Sequence, residues 1–119
     1  MWVYYNPNPK GIRVGDCSIR AVSRALDQDW TETYINICLE GIIQADMPSS
    51  NAVWGEYLRS HGFSKGVEEE RTTVQRFCEK HNNGIYVLAL SGHVVPVIRG
   101  VLYDNWDSSQ ETPIYYWEE

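Results

Sequence analysis

Ile85-Tyr86-Val87-Leu88-Ala89-Leu90-Ser91-Gly92-His93-Val94-Val95-Pro96-Val97-Ile98 is where the period of the chain changes. Both halves are rich in β-forming residues, and Ser91-Gly92 between them has the length and composition of a two-residue hairpin connection. Arg99-Gly100 permits a second tight reversal into Val101-Leu102-Tyr103, and Thr112-Pro113-Ile114-Tyr115-Tyr116-Trp117 reads as a last strand. Upstream the spacing is helical. A first helix is expected over about Asp16 to Asp29, with Asp16 as its N-cap and Ile19, Val22 and Leu26 as its apolar stripe. A second runs from Thr31 or Glu32 to Ala45, with Tyr34, Ile35, Cys38, Leu39 and Ile42 recurring at three and four residues. Ser50 to about His61 forms a third, burying Val53, Trp54, Tyr57 and Leu58, after which Gly62 closes the helix and Phe63 packs back. Thr72-x-x-Gln75 has the form of a capping box opening a fourth helix that buries Val74, Phe77 and Cys78. Helices first and an antiparallel meander after them give an α+β domain, with a helical part at about 16–81 and a sheet part at about 85–117.

The chain has 119 residues, enough for one core and too few for two, so residues 1–119 are read as a single domain. Hydrophobic and charged contents of 43 % and 22 % are those of an ordinary globular protein. With a net charge of -6 and no basic run, nothing matches a phosphate backbone, and nucleic acid is not an expected partner. No stretch approaches a membrane span, and residues 1–9 lack the basic region and apolar run of a secretory signal, so a cytoplasmic location is the expectation. Cys17, Cys38 and Cys78 are an odd number of cysteines, which argues against a disulfide framework and for a reducing compartment. Glu68-Glu69-Glu70 reads as a solvated turn.

The chemistry-bearing stretch is Gly15-Asp16-Cys17-Ser18-Ile19-Arg20-Ala21-Val22. It sets a thiol in the first turn of a helix, where free amides and the positive helix end stabilise a thiolate. Such a nucleophile needs a base and a group that holds the imidazole tautomer. His93, at the first residue of its strand, is the candidate base. Asp104 is expected to close the next strand directly opposite His93, orienting the ring and stabilising imidazolium. Asn105 competes for that role without charge, while Asp107 reads as a turn residue and Trp106 as a shield for the pair. Arg20 and Arg24 share a helix face and are expected to meet Asp16 or Asp27 in a structural role. Cys78-x-x-His81 lacks a second close pair of ligands and reads as structural, as do Cys38 and His61, so neither a metal nor a cofactor is expected. Asn6 and Asn8, before the two prolines of the N-terminal arm, are candidate oxyanion donors.

Cysteine at a helix start, then histidine, then Asp or Asn on the next strand resembles the papain-like cysteine proteases. Gly92-His93-Val94-Val95 and Tyr103-Asp104-Asn105-Trp106-Asp107 are closer to the small bacterial and phage C39-like peptidases of that group. The resemblance covers roughly a quarter of the chain. It implies a papain-like fold, a cleft between a helical lobe headed by Cys17 and a sheet carrying His93 and Asp104, and an acyl-enzyme intermediate on Cys17. The family's upstream glutamine is replaced here by Gly11, and Asn8 or Asn6, with the Cys17 amide, stands in for it. Asp16-Cys17-x-x-Arg20-Ala21 also partially resembles ovarian-tumour-type deubiquitinases, which carry an aspartate three residues before the cysteine, where this chain has Val14. The implied function is thiol-dependent hydrolysis of a peptide or isopeptide bond in a protein or peptide substrate. Acyl transfer or deamidation with the same residues, and a catalytically silent binding module of the same fold, are the alternatives.

Overall fold

The computed structural model describes residues 1–119. In chain order the elements are β1 (Trp2–Tyr4), α1 (Cys17–Leu26), α2 (Trp30–Gln44), α3 (Asn51–Ser60), β2 (Ser64–Gly66), α4 (Val74–Lys80), β3 (Ile85–Leu90), β4 (His93–Ile98), β5 (Val101–Asp104) and β6 (Tyr115–Glu118). The class is α+β. The six strands form one sheet in the order β1-β5-β4-β3-β6-β2. The expected meander is present as β3-β4-β5, but the sheet is mixed, because β1 joins β5 in parallel. β2, which lacks any apolar alternation and was not foreseen, pairs with β6 at the other edge.

The sheet is covered on both faces, which is why β3 reads as an unbroken apolar run rather than an alternating one. Val87 and Ala89 face a core made with Ile19, Val22, Ile37, Val53, Trp54 and Leu58 of the first three helices. Tyr86, Leu88 and Leu90 face the opposite way, onto Val74, Phe77 and Cys78 of α4. The helices therefore do not form one lobe on one face: α4 lies across the sheet from α1, α2 and α3.

Helix boundaries shift for identifiable reasons. α1 stops at Leu26 because Asp27 takes the left-handed conformation (φ 54°) and its N–H bonds the Arg24 and Ser23 carbonyls. Asp29, expected within the first helix, instead caps the second, its carboxylate accepting the Glu32 N–H. Thr73 rather than Thr72 caps α4, accepting the Arg76 N–H at 3.1 Å.

The largest correction concerns α2. The stripe Tyr34, Ile35, Leu39 and Ile42 points outward, Ile42 being 75 % exposed, and the buried face is Thr33, Ile37 and Gly41. A helix with apolar residues on two sides has two candidate faces, and packing chooses between them. The compact Thr33-Ile37-Gly41 row admits close neighbours: a Cβ on Gly41 would lie 2.8 Å from the Asp46 carbonyl oxygen, with Val53 of α3 just beyond. The Glu68 carboxylate is also less solvated than expected, since it accepts hydrogen bonds from Lys80 at 3.1 Å and His81 at 2.7 Å. No helix is long and apolar enough to cross a membrane.

Candidate functional site

Cys17 is the first residue of α1, and α1 packs chiefly on β4. Asp16 occupies the N-cap position but does not cap. Its carboxylate turns away, one oxygen taking Arg20 Nη1 and the other Trp30 Nε1 at 2.8 Å. As a result the Ser18 and Ile19 amides stay uncapped, and the Cys17 amide likewise finds no acceptor within the protein. A helix start with free amides carries a partial positive charge beside the thiol.

β4 meets α1 through a local break in the sheet. The β3–β4 hairpin pairs Leu90 with His93, which directs the backbone amides of residues 94 and 96 toward β5. Position 96 is proline and has no N–H to donate, and the β4–β5 ladder stops next to it, at Val97↔Leu102. The Val94 amide, free of the ladder, is one of the groups that favour the Cys17 thiolate. Continuing the same register sets Asp104 across from Val95, not directly opposite His93 as the sequence suggested. The contact is a diagonal one, within reach of long side chains where strands part.

Across that gap His93 Nε2 donates to Asp104 Oδ2 at 2.7 Å, and the Cys17 thiol lies near enough to the ring for the two to shift each other's titration. His93 and Asp104 are thus hydrogen-bonded to each other, and Cys17 at the start of α1 is near enough for His93 to influence its thiol. The Asn105 side chain is not part of this arrangement. Only its backbone joins in, donating to Asp104 Oδ1 at 2.8 Å, so the carboxylate and not the amide meets the ring. Trp106 lies against His93 with ring centroids 5.0 Å apart. Asp107 is the turn residue expected, accepting the Ser109 N–H.

The buried Asp104 carboxylate is saturated with donors. Besides His93 and the Asn105 amide it accepts Ser108 Oγ at 2.8 Å and Arg20 Nη2 at 3.0 Å. Its backbone carbonyl accepts the Tyr5 N–H at 2.8 Å and Trp2 Nε1 at 3.1 Å, so the N-terminal arm holds the strand end in place. Arg20, only 4 % exposed, spans Asp16 and Asp104 and links the two ends of the site. Its i,i+4 partner Asp16 was legible in the sequence, while Asp104, Ser108 and Trp30 were not, because no spacing rule connects them. Arg24 stacks on the Tyr103 ring with Cζ 4.3 Å from the centroid and stays outside the network.

The electrostatics follow from these contacts. Burial pushes the Cys17 thiol up, yet the hydrogen bond and charge of His93, the Val94 amide and the Arg20 charge together hold it below its ordinary value. Burial alone would lower His93, but the hydrogen bonds and charges of Asp104 and Cys17 raise it from 6.5 to about 9. Burial likewise opposes ionisation of Asp104, and His93, Ser108 and the Asn105 amide outweigh it, keeping the carboxyl below its ordinary range. All three shifts favour thiolate, imidazolium and carboxylate in contact near neutral pH.

Of the arm's asparagines, Asn6 has its side-chain amide committed to the Ile12 carbonyl at 3.1 Å. The Asn8 side-chain oxygen accepts the Lys10 N–H at 2.8 Å, and its Nδ2 has no partner in the protein. Asn8 lines the same cavity as Gly15 and Asp16, at the start of α1. Elsewhere, Cys78 lies in the core, His81 stacks on Phe77, and the His61 Nδ1 bonds the Tyr57 carbonyl. No three His, Cys, Asp or Glu side chains converge as a set of metal ligands. No family model, curated protein or solved structure matches the chain.

Proposed function

We propose that this protein is a thiol-dependent amide hydrolase of papain-like architecture, similar to the small C39-like peptidases, acting on a peptide or isopeptide bond. The supporting observation is the His93–Asp104 hydrogen bond at the start of the strand on which α1 packs, with the Cys17 thiol pKa lowered at a helix start whose own amides are free. The Cys17 thiolate attacks the substrate carbonyl. The oxyanion is received by the Cys17 N–H and by Asn8 Nδ2. His93, protonated at rest, gives its proton to the departing amine, leaving a thioester on Cys17. Water then attacks the thioester, His93 takes the water proton, and the carboxylic acid leaves as the thiolate returns. Asp104 keeps the Nε2 proton in place through both steps, so that Nδ1 is the nitrogen that exchanges protons. Three unpaired cysteines suit work in a reducing compartment.

The test is a proteome-derived peptide mixture incubated with wild type and with Cys17→Ala, read by mass spectrometry for new amino termini and for an adduct on Cys17. Cleavage that depends on Cys17 and is lost in His93→Ala supports the reading. Amine incorporation or glutamine deamidation in place of cleavage would redirect the same intermediate to transfer or deamidase chemistry. A Cys17 that forms no adduct and produces no change in the mixture refutes it.

A further inference from the structure

α2 keeps one face against the protein and leaves the other open. α1 and α3 pack on its inner side, where Thr33, Ile37 and Gly41 are buried. At 3.6 residues per turn Leu39 lies about 160° around the helix from Ile37, pointing away from the core. Ile35 and Ile43 sit one turn to either side of Leu39, with Ile42 beside them, Tyr34 on one flank and Met47 just past the helix end. These six side chains keep between 46 and 78 % of their surface exposed. Together they leave roughly 700 Å² open, more than a soluble monomer usually shows in one apolar patch and near the ~800 Å² that each partner gives to a standard interface. That is about a tenth of the chain's 6598 Å² of surface, the share a specific interface takes.

Charge and symmetry narrow the occupant. The chain carries a net charge of -6, so two copies repel over most of their surface. The outer row from Ile35 to Ile43 holds no ionised group. Glu32 and Asp46 mark only its ends, and Glu40 lies round toward the inner side, accepting a hydrogen bond from Gln44 at 2.9 Å. α2 also contains no Lys or Arg, the residues that hold an amphipathic helix on an anionic lipid surface. A two-fold pair needs a patch that is complementary to itself when reversed. Leu39, with an isoleucine one turn away on each side, meets that need: a reversed copy sets Leu39 on Leu39 and Ile35 on Ile43.

We infer that a second copy of this chain covers the outer face of α2, the two helices running antiparallel about a two-fold axis beside Leu39. With helix axes about 8–10 Å apart and Cα atoms about 2.3 Å off each axis, the two copies of Leu39 come into direct contact. The pairing is independent of the Cys17 chemistry. The row adds nothing to the fold of a single chain, so denaturant melts run below the dissociation constant read the monomer.

The experiment is sedimentation velocity of the full chain under reducing conditions from about 0.1 to 100 μM, because interfaces of this area span micromolar affinities and tighter. Wild type is dimeric at the top of that range. Leu39→Glu and Leu39→Lys each set like charges against one another across the axis and weaken association by at least about 100-fold. Mixing the two variants restores a dimer with one chain of each kind, which requires that both are folded and that position 39 faces itself. Val67→Glu places the same charge on an exposed apolar residue outside α2 and leaves the dimer intact. A wild type that stays monomeric throughout overturns the inference and leaves the face to a partner of another kind. A dimer that survives both Leu39 substitutions, is lost equally in Val67→Glu, or does not return on mixing overturns it as well.

Discussion

Asp104→Asn isolates what the carboxylate contributes to the thiol. The substitution keeps the shape of the side chain and leaves Arg20 paired with Asp16, so no buried cation is stranded. It removes the negative charge whose hydrogen bond, 2.7 Å from His93 Nε2, is the main influence raising that ring to about 9. An opposite charge in contact shifts a pKa by roughly 1–3 units, equivalent to about 1.4–4 kcal/mol of preference for imidazolium. The consequence is legible in the pH dependence of Cys17 alkylation by iodoacetamide, with Cys38 in the same digest as an internal reference. In wild type the rate rises at acid pH as the thiolate forms, holds a plateau while the thiolate faces imidazolium, and rises again as His93 deprotonates near pH 9. In Asp104→Asn the upper inflection moves down by roughly 1–3 units and the acid-side rise moves up, narrowing the plateau from both ends. Stability follows the same sign. A folded-state pKa raised from 6.5 to about 9 stabilises the fold fully below pH 6.5, and that contribution is lost as pH climbs through 9. Wild type should therefore lose its advantage over Asp104→Asn across that interval. An alkylation profile that is the same in both proteins would refute the assignment of Asp104 as the residue that sets the His93 proton.

Four further outcomes test other parts of the structure. Arg20→Lys keeps the charge but lacks the two-pronged group that spans Asp16 and Asp104, and by analogy with breaking a buried pair it should cost on the order of 3 kcal/mol in urea unfolding. Ser108→Ala removes one hydrogen bond to a buried carboxylate and is expected to cost about 1.5–3 kcal/mol, with a small rise in the Asp104 pKa measured by carbon NMR. Ile37→Ala should cost about 2–5 kcal/mol, whereas Ile42→Ala should stay within about 0.5 kcal/mol; equal costs in denaturant melts would mean that α2 is turned the wrong way round. Asn8→Ala should slow acylation of Cys17 by roughly 100- to 1000-fold on any substrate it cleaves, and an unchanged rate would remove Asn8 as an oxyanion donor.

Elements whose signal is local are legible from the residues alone. The two-residue hairpin at Ser91-Gly92, the inward face of α3, the thiol at a helix start and the strand that ends in Asp104 all follow from periodicity, turn chemistry and propensity within a few residues. The i,i+4 spacing of Asp16 and Arg20 belongs to the same class. Tertiary structure decided whatever depended on which of two locally equal options found a neighbour. α2 carries apolar residues on two sides, and the closeness that Gly41 permits selected Thr33-Ile37-Gly41 as the buried row. Asp16 is a good cap in any isolated helix, but Arg20 and Trp30 compete more strongly for its carboxylate and leave the Ser18 and Ile19 amides uncapped. Asp104 and Asn105 are chemically alike to a sequence reader. The parting of β4 and β5 beside Pro96, and the grip of Tyr5 and Trp2 on the Asp104 carbonyl, determine that the carboxylate meets His93. Those contacts join residues up to 102 positions apart, and no local rule carries information over such a distance.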